Sequence, residues 1–212
     1  MSKKDKGVVH DTIILTIITL AAGLVLGGVH HITAEPIQKQ QEATQKAAQK
    51  QVFPEAKNFK AVEWDASNAD FAKALEEAGI DQTTVSAVSE AQDASGAKIG
   101  YVVTAANKEG YGGDVELMVG IGTAEGTKSL YGISFLNLPE TAGMGMKADE
   151  PTFKDQFKTV TVSGEELVKY TKNGKQSANE VDAISGCTVT TNAVTKAVNG
   201  AITAVSFLEE DE

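Results

Sequence analysis

Arginine is absent. All 19 basic side chains are lysines, set against 29 acidic residues for a net charge of −10 over 212 residues. An acidic chain without a guanidinium is poorly equipped to neutralise a phosphate backbone, which argues against a nucleic-acid partner. Cysteine is nearly absent as well. Cys187 stands alone, so the chain has no internal disulfide and no cysteine cage for zinc or an iron–sulfur cluster. The three histidines, His10, His30 and His31, all lie in or beside one apolar N-terminal stretch. The rest of the chain therefore lacks the usual base of a hydrolase triad and the usual zinc ligand. No catalytic residue and no metal ligand is assigned. No Gly-x-Gly-x-x-Gly run follows a strand, so a dinucleotide fold of that kind is not expected.

Long hydrophobic runs are scarce: there is one. Residues 12–29 carry no charge, and the uncharged stretch extends through Ala34. A bilayer core needs roughly 20 apolar residues as a helix, so 12–34 reads as a transmembrane helix. Lys3, Lys4 and Lys6 precede it, which places residues 1–11 in the cytoplasm and the bulk of the chain outside it. A cleaved signal peptide is the competing reading. Its apolar region is usually shorter, and the best cleavage point, after Ala34, has Ile32 where a small residue is preferred. A retained single-pass anchor in the cell membrane is therefore expected.

Residues 35–52 are rich in Gln, Ala and Lys and lack Gly. They read as a solvated stalk helix with Pro36 near its first turn, ended by Phe53-Pro54. Residues 67–78 read as a short helix with a Ser or Asn cap, stopped by Gly79. The period then changes from helical to alternating. Strands are expected at 83–90, 98–106, 115–122 and 130–138, with turns at 93–96, 107–110 and 124–127. Such short connections imply an antiparallel sheet. A short helix at 150–157 and two weaker strands at 160–162 and 167–171 follow. A final helix begins near Thr188, with a stripe of Ala193, Val194, Ala197, Val198, Ala201, Ile202, Val205 and Leu208. The fold class is α+β: a transmembrane helix and stalk helix, then one antiparallel-sheet domain over 53–212 with a C-terminal helix.

The chemically informative stretch is 181–192. A short apolar strand runs through Ser185-Gly186 into the last helix. Such a junction directs free backbone N–H groups and the positive helix end at one point, whose natural occupant is a phosphate. Ser185, Thr188, Thr190 and Thr191 crowd the same point. Ser and Thr are also ordinary helix caps, and local physics leaves both readings open.

Asp182-Ala-Ile-Ser-Gly-Cys-Thr188 resembles the flavinylation motif Asp-x-x-Ser/Thr-Gly-Ala-Thr of the FMN-binding domain family. Gly110-Tyr-Gly-Gly113 is similar to that family's Gly-Tyr-Gly-Gly segment. The 137–145 stretch is similar to its Glu-Thr-Pro-Gly-Leu-Gly loop, with Ala142 for Pro and Met144 for Leu. The resemblance covers roughly residues 95–205. It implies FMN held by a phosphodiester bond to Thr188, placed there by a flavin transferase that uses FAD and a magnesium ion. It implies that Asp182 serves recognition by the transferase. It places Ser185, Gly186, Cys187, Thr191, Glu140, Thr141, Gly143, Met144 and Gly112 near the flavin. Cys187 stands where the family usually has Ala; it is small enough to keep the turn, and it puts a thiol beside a redox centre.

Within that family, the short length, single anchor and stalk resemble the G subunits of Rnf-type ion-translocating complexes. The resemblance then implies an electron relay between reduced ferredoxin and NAD, not catalytic alone, working with the other membrane and peripheral subunits. Two alternatives stand beside it. One is the C subunit of a sodium-pumping NADH:quinone oxidoreductase, or another extracellular flavoprotein. The other is a non-redox, membrane-anchored binding domain in which Thr188 only caps a helix.

Overall fold

The computed structural model describes residues 3–124 and 126–210, with side chains from residue 10 onward. The Lys3, Lys4 and Lys6 side chains behind the expected orientation lie outside the described side chains, and Glu125 in the turn expected at 124–127 lies outside the described residues. Two compact units are present, one over 1–44 and one over 45–212.

The first unit is helical and belongs to α1 (Lys3–Val52). From His10 on, this helix is long and apolar enough to cross a membrane, with a mean hydropathy of 2.3 over its most apolar window. Ile13, Leu15, Leu20, Leu24 and Leu26 are all exposed. Anchor and stalk were expected as two helices with Pro36 opening the second. Instead Pro36 sits inside α1. Proline deletes one backbone bond, and the Gln, Ala and Lys residues around it are strong helix formers that carry the helix past the gap.

The second unit is built on a six-stranded antiparallel sheet in sequential order: β1 (Asn58–Ala61), β2 (Thr83–Gln92), β3 (Lys98–Asn107), β4 (Val115–Ala124), β5 (Thr127–Asn137) and β6 (Thr161–Ser163). Between β1 and β2 lies α2 (Ala69–Glu77), capped by Asn68, whose side-chain oxygen accepts from the N–H groups of Asp70 and Phe71 at 2.9 and 3.1 Å. Gly79 closes it at φ +69°. The one-turn helix α3 (Pro151–Lys154) lies between two 3-10 turns after β5. Then β7 (Lys169–Thr171) pairs in parallel with β8 (Glu180–Asp182), and α4 (Thr188–Glu210) ends the described chain.

Residue alternation sorts the strands between two cores. Tyr101, Val103 and Ala105 of β3 and Leu117, Val119 and Ile121 of β4 point to one face. There they meet Ala193, Val194, Ala197, Val198, Ala201, Ile202 and Val205 of α4. Their neighbours Val102 and Met118 point to the other face, onto Ala48, Val52, Phe53 and Ala56. The end of α1 is therefore part of the domain and not solvated stalk. The carbonyl of Val52 lies where a Cβ on Gly120 would sit, so only glycine allows this approach. Phe53 stacks on Tyr131 with ring centroids 4.3 Å apart. Full burial of a Val or Phe contributes about 1.5–3 kcal/mol each, which is enough for Val52 and Phe53 to hold this turn against the sheet.

Candidate functional site

β3 runs into β4 through residues 108–114, and β5 leaves the sheet through residues 138–144. Because Glu116 pairs with Asn137, both loops emerge at the same sheet end. The Asn137 amide donates to the Asp114 carbonyl at 3.0 Å. The Glu140 carboxylate accepts from the Tyr111 N–H at 2.9 Å. Gly112 lies so close to the Pro139 carbonyl that a side chain there has no room, and a Cβ on Gly145 would meet the Glu140 carboxylate at 2.6 Å. Gly143 turns the second loop at φ +74°.

The third wall is the start of α4. Gly186 takes φ +77°, a conformation that is costly for residues with a Cβ. The Cys187 N–H donates to the Ile184 carbonyl at 3.0 Å, which closes the turn. The Thr191 N–H is bonded back to the Cys187 carbonyl, also at 3.0 Å. The amides of Thr188, Val189 and Thr190 precede that first helical bond, so their N–H groups and the positive helix end face outward.

The three walls enclose a cleft of about 430 Å³, lined by Tyr111, Glu140, Thr141, Met144, Gly145 and residues 186–190. All three motif segments, far apart in sequence, meet here. Tyr111 is 77% exposed, and Met144 and Val189 are about half exposed. These large apolar side chains are held open to solvent around a concave, mostly apolar space, the usual character of a cofactor site.

The expected site residues divide. Gly186, Cys187, Thr188, Glu140, Thr141 and Met144 line the cleft. Gly112 and Gly143 shape its loops without lining it. Ser185 is exposed beside the turn. Thr191 does not line it: fully buried, its hydroxyl accepts from the Ile184 N–H at 3.1 Å and donates to the Cys187 carbonyl at 2.9 Å. It secures the turn from behind. The Thr188 hydroxyl, by contrast, has no hydrogen bond among the described residues and stands half-buried on the cleft wall. Asp182 also lies elsewhere. It borders a separate cavity of about 210 Å³ with Lys147, Glu150 and Gln156. The Gln156 amide grips its backbone in both directions, accepting from its N–H at 2.6 Å and donating to its carbonyl at 3.4 Å. Its Oδ1 is buried without a partner among the described residues. Tyr111, Gly145, Val189 and Thr190 line the cleft beyond the expected site residues; Tyr111 and Gly145 belong to the motif segments, and Thr190 to the hydroxyls at the helix start.

FMN fits this arrangement. The helix start supplies N–H donors and positive potential for a phosphate. Exposed Tyr111, Met144 and Val189 offer apolar and polarizable surface to a flat ring, and the glycines let backbone approach closely.

A phosphate-ready helix start inside an apolar cleft suits a cofactor that joins a phosphate to a flat ring, and residues 110–203 match the FMN-binding domain family. Residues 1–52 match the RnfG N-terminal region. The chain is 33% identical over 190 residues to the G subunit of the Na(+)-translocating ferredoxin:NAD(+) oxidoreductase complex of Acetobacterium woodii, covering 90% of this chain and 87% of that one. It is 32% identical over 205 residues to the G subunit of the ion-translocating oxidoreductase complex of Methanosarcina acetivorans, covering 97% and 98%. The chain belongs to the family of G subunits of ion-translocating oxidoreductase complexes. It is also similar to the crystal structure of the C subunit of Na(+)-translocating NADH-quinone reductase from Parabacteroides distasonis, at 22% identity over 80% of this chain and 95% of that one, with a TM-score of 0.49.

Proposed function

We propose that this chain is the membrane-anchored FMN subunit of an Rnf-type ferredoxin:NAD oxidoreductase complex, with its flavin bound covalently to Thr188. The observation that carries the covalent link is the contrast between hydroxyls at the helix start: Thr191 is consumed by the turn, whereas Thr188 is unbonded on the cleft wall. Similarity over nearly the whole chain to the G subunits of a Na(+)-translocating ferredoxin:NAD(+) oxidoreductase complex and of an ion-translocating oxidoreductase complex supports the wider assignment.

Attachment requires a nucleophile and a departing group. The Thr188 oxygen bonds to the FMN phosphorus of FAD, the pyrophosphate bond breaks, and AMP leaves. The cleft lining contains no histidine or lysine, and its one carboxylate, Glu140, is engaged by the Tyr111 N–H, so we assign the hydroxyl proton to a base of the flavin transferase. Asp182 lies outside the cofactor cleft, on the wall of a separate cavity. That position suits a group read by the transferase better than one that touches flavin. The resulting diester keeps one negative charge, which the amides at the start of α4 can satisfy without a basic clamp.

Bound FMN exchanges one or two electrons, so it can join one-electron carriers to hydride carriers. The protein's part is placement. The Thr188 bond fixes one end of the cofactor, and the Glu140–Tyr111 clasp sets the two loops around the other. We place residues 12–34 across the membrane, 1–11 in the cytoplasm and the domain outside, on the strength of the exposed apolar helix and its lysine flank.

Co-expression with a flavin transferase, followed by ultraviolet imaging of a denaturing gel, tests the covalent link. Wild type is expected to fluoresce and Thr188→Val to stay dark. A dark wild type, with the transferase active on a control protein, overturns the covalent reading.

A further inference from the structure

A second concavity lies at the far end of α4. Thr188 and Ser206 are about 27 Å apart along the helix axis at 1.5 Å per residue, so this groove is separate from the flavin cleft. It measures about 440 Å³, as large as the cofactor cleft, and runs between α2, the turn after β6 and the last two turns of α4. The half-buried Leu167 and Phe207 supply apolar surface in it, and Glu77, Glu165, Glu166 and Glu210 ring it. No lysine lines it.

Three features of this ring point the same way. Glu165, Glu166 and Glu210 have no ion-pair partner among the described residues, and Glu77 has only the exposed Lys73 at 3.6 Å. The last turn of α4 carries no basic residue, so Glu210 sits at the negative end of the helix, where an anion is disfavoured. The nearby Glu209 reaches away to the buried Lys128 at 3.4 Å. Among the described residues no three carboxylates converge closely enough to hold a metal ion. The charges surround a trough of mixed polar and apolar lining instead of closing on a point.

We propose that this groove receives a lysine- or arginine-bearing segment of a neighbouring protein in the complex. An apolar side chain of that segment covers Leu167 and Phe207, and its cations pair with Glu165, Glu166 and Glu210. Charge complementarity identifies the occupant: a trough ringed by four carboxylates at an unfavourable helix end gains most from a cationic, partly apolar chain. This inference rests on the reading of the chain as one member of a multi-protein complex.

The test uses the full-length chain in the intact complex, purified from membranes through a tag on another of its proteins. Glu165→Lys with Glu166→Lys reverses two exposed charges on the groove rim, and covalent flavin on the chain reports that the domain folds. After a moderate-salt wash, retention of this variant is expected to fall about tenfold below wild type. Glu165→Gln with Glu166→Gln is expected to fall less. Glu55→Lys with Asp81→Lys, two exposed acidic residues outside the groove, is expected to be retained as wild type. Full retention of the rim variant, or equal loss from the control pair, overturns the proposal. Wild-type retention that depends on added calcium overturns it in favour of a metal. A wild-type chain that carries flavin yet is missing from the complex overturns the assignment to that complex, and the groove proposal with it.

Discussion

The Glu140 carboxylate and the Tyr111 backbone N–H are joined at 2.9 Å across 29 residues of sequence, and this bond fastens the two loops that flank the flavin cleft. Glu140→Ala removes the acceptor and frees the Tyr111 segment. It is expected to lower stability by about 1 kcal/mol, below the usual value for a bond to a charged group because this one is exposed to water. Glu140→Gln keeps an acceptor oxygen and is expected to lie close to wild type. Denaturant unfolding of the flavin-loaded protein measures both. Equal losses in the two variants would mean that the charge, and not the bond, matters here.

Gly112 meets Pro139 just beside that clasp, and its missing side chain is what lets the loops touch. Gly112→Ala places a methyl group against the Pro139 carbonyl, so one loop must move away. Thr188 lies on a different wall of the cleft, so covalent loading should persist. The expected result is a normal fluorescent band after denaturation but altered flavin fluorescence in the folded protein. A folded-state spectrum identical to wild type would place the flavin ring away from these loops.

The sheet was readable from its alternation because each strand has only two faces. Val102 and Val103 are adjacent in sequence and lie in opposite cores, as a period of two requires. The three motif segments were readable one by one, and the family resemblance implied that they meet near one cofactor, but the contacts that bring them together were not legible. Convergence depends on the Glu116–Asn137 register, a tertiary fact. The role of Thr191 was hidden for another reason. A threonine's identity does not reveal where its hydroxyl points, and four hydroxyls at one junction looked alike. The end of α1 misled through sparseness. Ala48 and Val52 are too few to form an apolar stripe, yet glycine on the facing strand lets that backbone come close enough to bury them. Tyr111 was legible only as part of its glycine segment, because an aromatic in a turn carries no periodicity.

Acid should weaken the turns whose carboxyls are held low, those of Asp65, Asp93 and Glu180. The Asp93 carboxyl is held below its ordinary value, chiefly by the Ser95 hydroxyl and then by the N–H groups of Ala97 and Ser95. The Glu180 carboxyl is likewise held low, chiefly by the Gln176 N–H. A carboxyl with a lowered folded-state value contributes its full stability above the unfolded value. That contribution fades as pH falls through the folded value. Asp93→Asn and Glu180→Gln are therefore expected to flatten the acid limb of a stability-against-pH curve while leaving its slope near neutrality unchanged. An unaltered acid limb would show that other carboxylates govern acid unfolding.

Thr188 and Thr191 offer the sharpest separation of chemistry from architecture, because they lie within one helical turn and are the same residue type. Thr191 is fully buried, and its hydroxyl serves both the Ile184 N–H and the Cys187 carbonyl. Thr191→Val preserves shape but leaves the part-buried Ile184 N–H without its acceptor, at a cost of about 1 kcal/mol. Thr191→Ser keeps the hydroxyl and is expected to recover most of that loss. Thr188→Val removes a hydroxyl that has no partner among the described residues, so its unfolding curve should match that of wild type without flavin. Covalent fluorescence should show the opposite pattern: absent from Thr188→Val, and present in whatever fraction of Thr191→Val folds. A fluorescent Thr188→Val together with a dark but stable Thr191→Val would exchange the two roles and move the attachment point one turn along α4. The buried, doubly bonded position of Thr191 argues against that exchange, because a hydroxyl committed to holding its own turn cannot reach a phosphorus without dismantling it.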